Sequence, residues 1–202
     1  MTDHLERRVL TQAVELRTTE NAAPRLGGYA ALFNTETEIA GMFRERIAPG
    51  AFADAIGRDD VRALFNHDPN FVLGRTTNQT LTIREDARGL AYDVTPPDTQ
   101  WARDLMVSVG RGDITQSSFG FTVDEDQWDR PAARGELPVR TILRAKLFDV
   151  SAVAFPAYAQ TSVAVRSQVQ AMTEPAAAAL IRQQEHARRR NRLLRAERER
   201  AL

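Results

Sequence analysis

A hydroxyl that can attack, an imidazole that can take its proton and a carboxylate that can orient the imidazole make a hydrolytic site. The sequence offers one segment for each. Ser117 and Ser118 open the run Ser117-Ser118-Phe119-Gly120-Phe121-Thr122-Val123, which follows the turn signal Gly112-Asp113. Strand alternation puts Phe119, Phe121 and Val123 on one face and Ser118, Gly120 and Thr122 on the other. Ser118 then stands on a face cleared by Gly120, where a bulky group can approach. The same pattern also fits an ordinary half-buried strand. A register slip of one residue would exchange Ser118 for Ser117.

Of the three histidines, His4 lies in a polar N-terminal stretch and His186 in a basic C-terminal one. His67 alone lies in the predicted core, so an imidazole base in this domain is His67. The candidate third member is Asp149, which interrupts the apolar run Leu147-Phe148-Asp149-Val150. A carboxylate there is costly to bury unless it is paired. It is either an edge-strand aspartate reaching solvent or an arginine, or the partner of the histidine.

The elements that must hold these residues are mostly strands. Leu26 to Asn34 reads as a strand entered through Gly27-Gly28, and Phe43 to Ile47 is short and mixed. Phe52 and Ile56, one turn apart, predict a brief helix over Ala51 to Gly57. Val61 to Asp68 is a strand ended by Pro69, with His67 at its terminus. Thr80 to Arg84 and Gly89 to Val94 alternate cleanly across a polar turn and predict a hairpin. Trp101, Leu105, Met106 and Val109 recur at helical spacing after the N-cap candidates Asp98 and Thr99, and Gly110 and Gly112 end that helix. Asp124 to Pro138 reads as a mobile surface loop, Thr141 to Phe155 as the longest strand, and Ser162 to Val165 as a last short one. The frequent turns and the lack of βαβ alternation predict a mainly β domain with helices. Its span is residues 26–166, after an N-terminal arm of residues 1–25 and before a basic helical tail, residues 167–202.

Composition excludes several chemistries. The formal net charge is zero, so the whole chain has no electrostatic bias toward nucleic acid or acidic membranes. With no cysteine there is no disulfide, thiolate nucleophile or zinc–thiolate site. One core histidine beside Asp68 is too little for a metal site, and neither a phosphate-binding glycine loop nor a Gly-x-Ser-x-Gly elbow is present. No apolar segment approaches membrane-spanning length, which predicts a soluble, unsecreted protein.

Taken together, Leu64-Phe65-Asn66-His67-Asp68, Ser117-Ser118-Phe119-Gly120-Phe121 and Leu147-Phe148-Asp149-Val150-Ser151 with Pro156-Ala157-Tyr158 resemble the tailed-phage prohead proteases. Those are serine peptidases of capsid maturation, similar in fold to the herpesvirus assemblins. The resemblance runs from about Gly28 to Val165. It implies a closed β-barrel wrapped by a few helices, with His67 as base, Ser118 as nucleophile and Asp149 where the family often carries Glu. It implies no cofactor. The partners it implies are the major capsid protein with its scaffold segment, the protease itself by self-cleavage, and a second copy in a homodimer or larger homo-oligomer. The place implied is the host cytoplasm, inside the assembling prohead. Arg75 and Arg140 are the motif-linked candidates for an oxyanion donor. The tail is read as a docking segment, with Ala171 or Ala176 to Ala179 as self-cleavage points.

Two rival classes stay open at this level. One is a virion structural protein with the chemistry lost. The other is a nucleic-acid module led by Arg188-Arg189-Arg190, which the interleaved Glu185, Glu197 and Glu199 disfavour.

Overall fold

The computed structural model describes residues 5–10, 14–18, 23–131, 133, 135–155 and 169. The chain divides into two compact units, Met1–Ser162 and Val163–Leu202, and every element below lies in the first. The predicted strand at Ser162 to Val165 and, apart from residue 169, the helical tail lie outside the described residues.

Eleven strands and one α-helix are described. They are β1 (Glu6–Leu10), β2 (Val14–Arg17), β3 (Arg25–Leu32), β4 (Thr37–Ile39), β5 (Phe43–Ile47), β6 (Arg62–Phe65), β7 (Asp68–Arg75), β8 (Leu81–Glu85), β9 (Gly89–Val94), α1 (Gln100–Gly110), β10 (Gln116–Asp129) and β11 (Val139–Val153). The predicted hairpin is β8–β9, in register from Leu81↔Val94 to Glu85↔Leu90. The predicted helix is α1, whose Ala102, Leu105 and Val109 are buried at helical spacing. Thr99 occupies its N-cap with extended backbone and no side-chain capping bond.

The strands form a seven-stranded sheet, β1-β10-β11-β5-β4 with β6 and β7 branching from β11, and a four-stranded sheet, β2-β3-β9-β8. Among the described residues neither closes, so two open sheets stand where a barrel was expected. The cause lies in β11. Its first part, Val139 to Ile142, pairs in parallel with β5, and its last part, Asp149 to Ala152, pairs in parallel with β6. This branch point interrupts the continuous strand-to-strand ring that a closed barrel has. Among the described residues, one isolated bridge, Phe33↔Ile47, joins the two ladders. Buried side chains from both sheets, from α1 and from the turns after β5, including Phe52, Tyr92, Leu105, Phe119, Phe121 and Val150, make one apolar cluster.

Two local expectations are overturned. Ala51 to Gly57 is a series of turns rather than a helix. Gly50 and Gly57 both have positive φ and leave too few residues between them to propagate a helix. Phe52 is nevertheless fully buried, edge-on to Phe119 at 5.8 Å. The segment after Val123 is not a loop until Asp129, because β10 continues to that residue opposite Val139. Trp128 there packs on Phe43 at 5.1 Å, and Arg140 Nε donates to Asp126 at 2.7 Å, so this polar stretch has partners that hold it in the sheet.

The stretch read as an N-terminal arm contributes β1, antiparallel to β10, and β2, antiparallel to β3. Buried charge anchors β1. Arg8 Nε donates to Glu45 at 2.5 Å and Nη2 to Glu6 at 2.5 Å, while Arg140 Nη1 reaches both glutamates at 3.1 Å. Burial works to lower the Arg8 pKa, but Glu45 and then Glu6 outweigh it and hold the guanidinium above its ordinary value.

Candidate active site

The site is assembled on two central strands and one turn. On β10, Ser118 pairs with Ser151 of β11, and Gly120 pairs with Asp149. Directly opposed residues of an antiparallel pair share a face, so these four stand on one side of the sheet. Phe119, opposite Val150, and Phe121, opposite Leu147, turn to the other side and join the apolar cluster.

Asp149 reaches this face through a bulge. The register jumps between Gly120↔Asp149 and Phe121↔Leu147, leaving Phe148 unopposed and 45% exposed. Asp149 and Leu147 would share a face in a regular strand. The extra residue resets the alternation, sending Leu147 to the core and Asp149 to Ser118. The edge-strand reading of Asp149 therefore does not hold, because β11 is flanked here by β10 and β6.

His67 arrives from a tight turn between β6 and β7. Phe65 pairs with Asp68, leaving Asn66 and His67 as a two-residue loop with φ of 53° and 57°. Two left-handed residues define the hairpin turn whose twist matches its strands, and Asn tolerates that region better than most residues. Asn66 ties the turn to the end of β11, accepting from Ala154 N–H at 2.9 Å through Oδ1 and donating its own N–H to Ala152 at 2.9 Å. Pro69 is not a strand end but the second residue of β7, an edge strand where its missing N–H leaves no ladder bond unmade. Asp68 instead accepts from Asn70 N–H at 2.8 Å.

The turn brings the three candidate residues together. His67 Nε2 is 2.6 Å from Ser118 Oγ, and Nδ1 is 2.6 Å from Asp149 Oδ1. Ser118 is fully buried, and the His67 side chain is 6% exposed. A proton on Nδ1 gives both contacts their natural sense, with Nδ1–H donating to the carboxylate and the Ser118 hydroxyl donating to Nε2.

Ser117 lies on the opposite face. Its hydroxyl donates to Tyr92 Oη at 3.2 Å inside the core, where burial pushes the phenol up to about 12. Neither oxyanion candidate has its principal donors free. Arg75 donates to Asp60 at 2.7 and 2.5 Å, and Arg140 belongs to the Glu6–Glu45–Asp126 network. The register places a different arginine on the site's face: Arg7, directly opposite Gly120. Its Nε is buried and has no acceptor among the described residues. Nothing in the sequence pointed to it, since β1 carries no motif.

Ser151, quoted above only as part of the Asp149 segment, is a further polar side chain of the site. Its hydroxyl donates to Asp149 Oδ1 at 2.6 Å and lies 3.2 Å from His67 Nδ1. The signal was available in the Asp-x-Ser spacing, which puts two polar side chains on one face of a strand.

Among the described residues no helix is long and apolar enough to cross a membrane. A comparison with curated proteins finds no match. Among solved structures, the bacteriophage T4 capsid assembly protease, gp21, aligns with a TM-score of 0.49 at 10% identity, over 75% of this chain and 98% of that one. The family model of the caudovirus prohead serine proteases matches residues 11–175, and the chain belongs to that family.

Proposed function

We propose that this chain is a serine endopeptidase of prohead maturation, with Ser118 as nucleophile, His67 as general base and Asp149 as the orienting carboxylate. One observation carries the reading: a single imidazole lies 2.6 Å from the Ser118 hydroxyl through Nε2 and 2.6 Å from the Asp149 carboxylate through Nδ1.

In the first half-reaction Ser118 Oγ bonds to the scissile carbonyl carbon while its proton passes to His67 Nε2. Asp149 stabilises the imidazolium through Nδ1–H. Collapse of the tetrahedral species breaks the C–N bond, and Nε2–H protonates the leaving amine. Water then repeats the sequence on the acyl-enzyme and restores Ser118. Because Ser118 is fully buried, the face above it has to open before a peptide carbonyl reaches Oγ. That requirement suits a protease whose activity waits on assembly.

The substrates of this reading are the scaffold segment of the major capsid protein and the chain itself. The proposed working form is a homo-oligomer inside the assembling shell. Residues 167–202 serve as a docking tail, cut near Ala171 or within Ala176 to Ala179.

Co-expression with the cognate capsid protein, read by intact mass, tests the proposal. Wild type and Ser117→Ala should trim the capsid chain, and Ser118→Ala should not, since losing a triad nucleophile costs on the order of a million-fold. Trimming by Ser118→Ala would overturn the assignment.

A further inference from the structure

We propose that Ser151 is a positioning residue for this site, holding Asp149 in one rotamer and keeping the imidazole proton on Nδ1. The inference rests on the Ser118–His67–Asp149 reading and deepens it.

Ser151 stands directly across from Ser118, so the His67 ring is bracketed by two hydroxyls from neighbouring strands. The Ser118 hydroxyl meets Nε2 at 2.6 Å, and the Ser151 hydroxyl meets Nδ1 at 3.2 Å. A hydroxyl has one proton to give. For Ser151 the ionised Asp149 Oδ1, at 2.6 Å, is both the nearer and the stronger acceptor. Once that proton is committed, Ser151 turns lone pairs toward Nδ1. An unprotonated Nδ1 would then face two acceptors, the carboxylate and the hydroxyl oxygen. A protonated Nδ1 is attracted to both. The arrangement selects Nδ1–H and leaves the Nε2 lone pair for the Ser118 proton.

The carboxylate needs this support because of what lies beside it. Asp149 Oδ2 lies over Gly120, which has no side chain to wall it in. Without the Ser151 hydroxyl, His67 would be the one side chain among the described residues left to donate to Oδ1. Ser151 is 1% exposed, so water does not readily replace its hydroxyl.

Two isosteric variants separate the hydrogen bond from packing. Ser151→Thr keeps the hydroxyl, and Ser151→Val has the same shape without it. The expected result is that Thr recovers most of the activity. Val should lower kcat about 10- to 100-fold, the range for losing an outer hydrogen-bond partner that orients a functional group, with KM nearly unchanged. A second readout does not depend on turnover. In a Ser118→Ala background, which stops self-cleavage, the low-field Nδ1–H proton resonance of His67 should persist with Ser or Thr at 151 and be lost with Val. If the added methyl groups unfold both variants, Ser151→Ala must show the same loss of kcat and of the resonance. Full kcat and an unchanged resonance in the hydroxyl-free variants would overturn the role of Ser151 and leave the triad standing. Undiminished cleavage by Ser118→Ala would instead overturn the reading beneath it.

Discussion

Gly120 and Asp149 stand directly opposite each other on β10 and β11, and Asp149 Oδ2 occupies the space that a Cβ at position 120 would need. The glycine clears the face for the carboxylate itself rather than for an incoming substrate. Gly120→Ala should therefore displace Asp149 from His67. The expected effect on kcat approaches the ~10⁴-fold loss of a disabled triad carboxylate, with overpacking costing about 1–3 kcal/mol of stability. Peptidase assays beside chemical denaturation check both; unchanged kcat would show that Asp149 can move without consequence.

Asn66 holds the turn that presents His67, with a left-handed backbone and a bond to Ala154 N–H. Asn66→Ala should cost roughly 2 kcal/mol, from the unfavourable φ and the lost bond together. Asn66→Gly keeps the backbone freedom and should cost about half of that. Denaturation midpoints rank the two variants, and equal costs would argue against the side-chain bond.

Glu45 joins Arg8 and Arg140 beneath the β1 end of the sheet. All three side chains are at most 8% exposed. Glu45→Ala leaves two buried guanidinium groups short of a partner and should destabilise the protein by about 3–5 kcal/mol. Hydrogen exchange at β1 amides should rise in the same variant, because β1 is held by this network.

The Arg75 hydrogen bond holds Asp60 at about 2, below its ordinary 3.8, with Arg62 adding to the effect. A depressed carboxylate pKa contributes stability above the ordinary value and loses it as pH falls through about 2. NMR titration of the Asp60 carboxyl should give that low midpoint in wild type and a higher one in Arg75→Ala. Since both side chains are partly exposed, high salt should shrink the difference.

Arg7 is opposite Gly120, and its buried Nε has no acceptor among the described residues. A donor so placed suits the charge that develops on a carbonyl oxygen near Ser118. Arg7→Ala should lower kcat about 10²- to 10³-fold, the usual loss for one such donor, while KM changes little. A rise in KM with kcat unchanged would mean that Arg7 serves substrate binding instead.

Much of the fold was readable locally. The β8–β9 hairpin and α1 follow from alternation and helical spacing within a single stretch, where each side chain's environment is set by its near neighbours. His67 stood out because it is the one histidine outside the polar ends of the chain. The Ser118–Gly120 face followed from the period of two. Long-range pairing was not readable in this way. The seven-stranded sheet forks because β11 takes β5 along one part and β6 along another, and nothing within β11 announces two partners. The continuation of β10 through Asp129 depends on Phe43, distant in sequence, and on Arg140 of the following strand.

The sequence by itself determined which residue types were available for chemistry and on which face of its own strand Ser118 lies. Both are local properties of composition and alternation. Tertiary structure decided which of them meet. The unopposed Phe148 reverses the phase of β11 between Leu147 and Asp149. The two-residue turn at Asn66 carries His67 over the strand pair, and β1 brings Arg7 alongside. A bulge or a cross-strand neighbour exists only once two strands have chosen a register, and that choice belongs to the packed sheet as a whole.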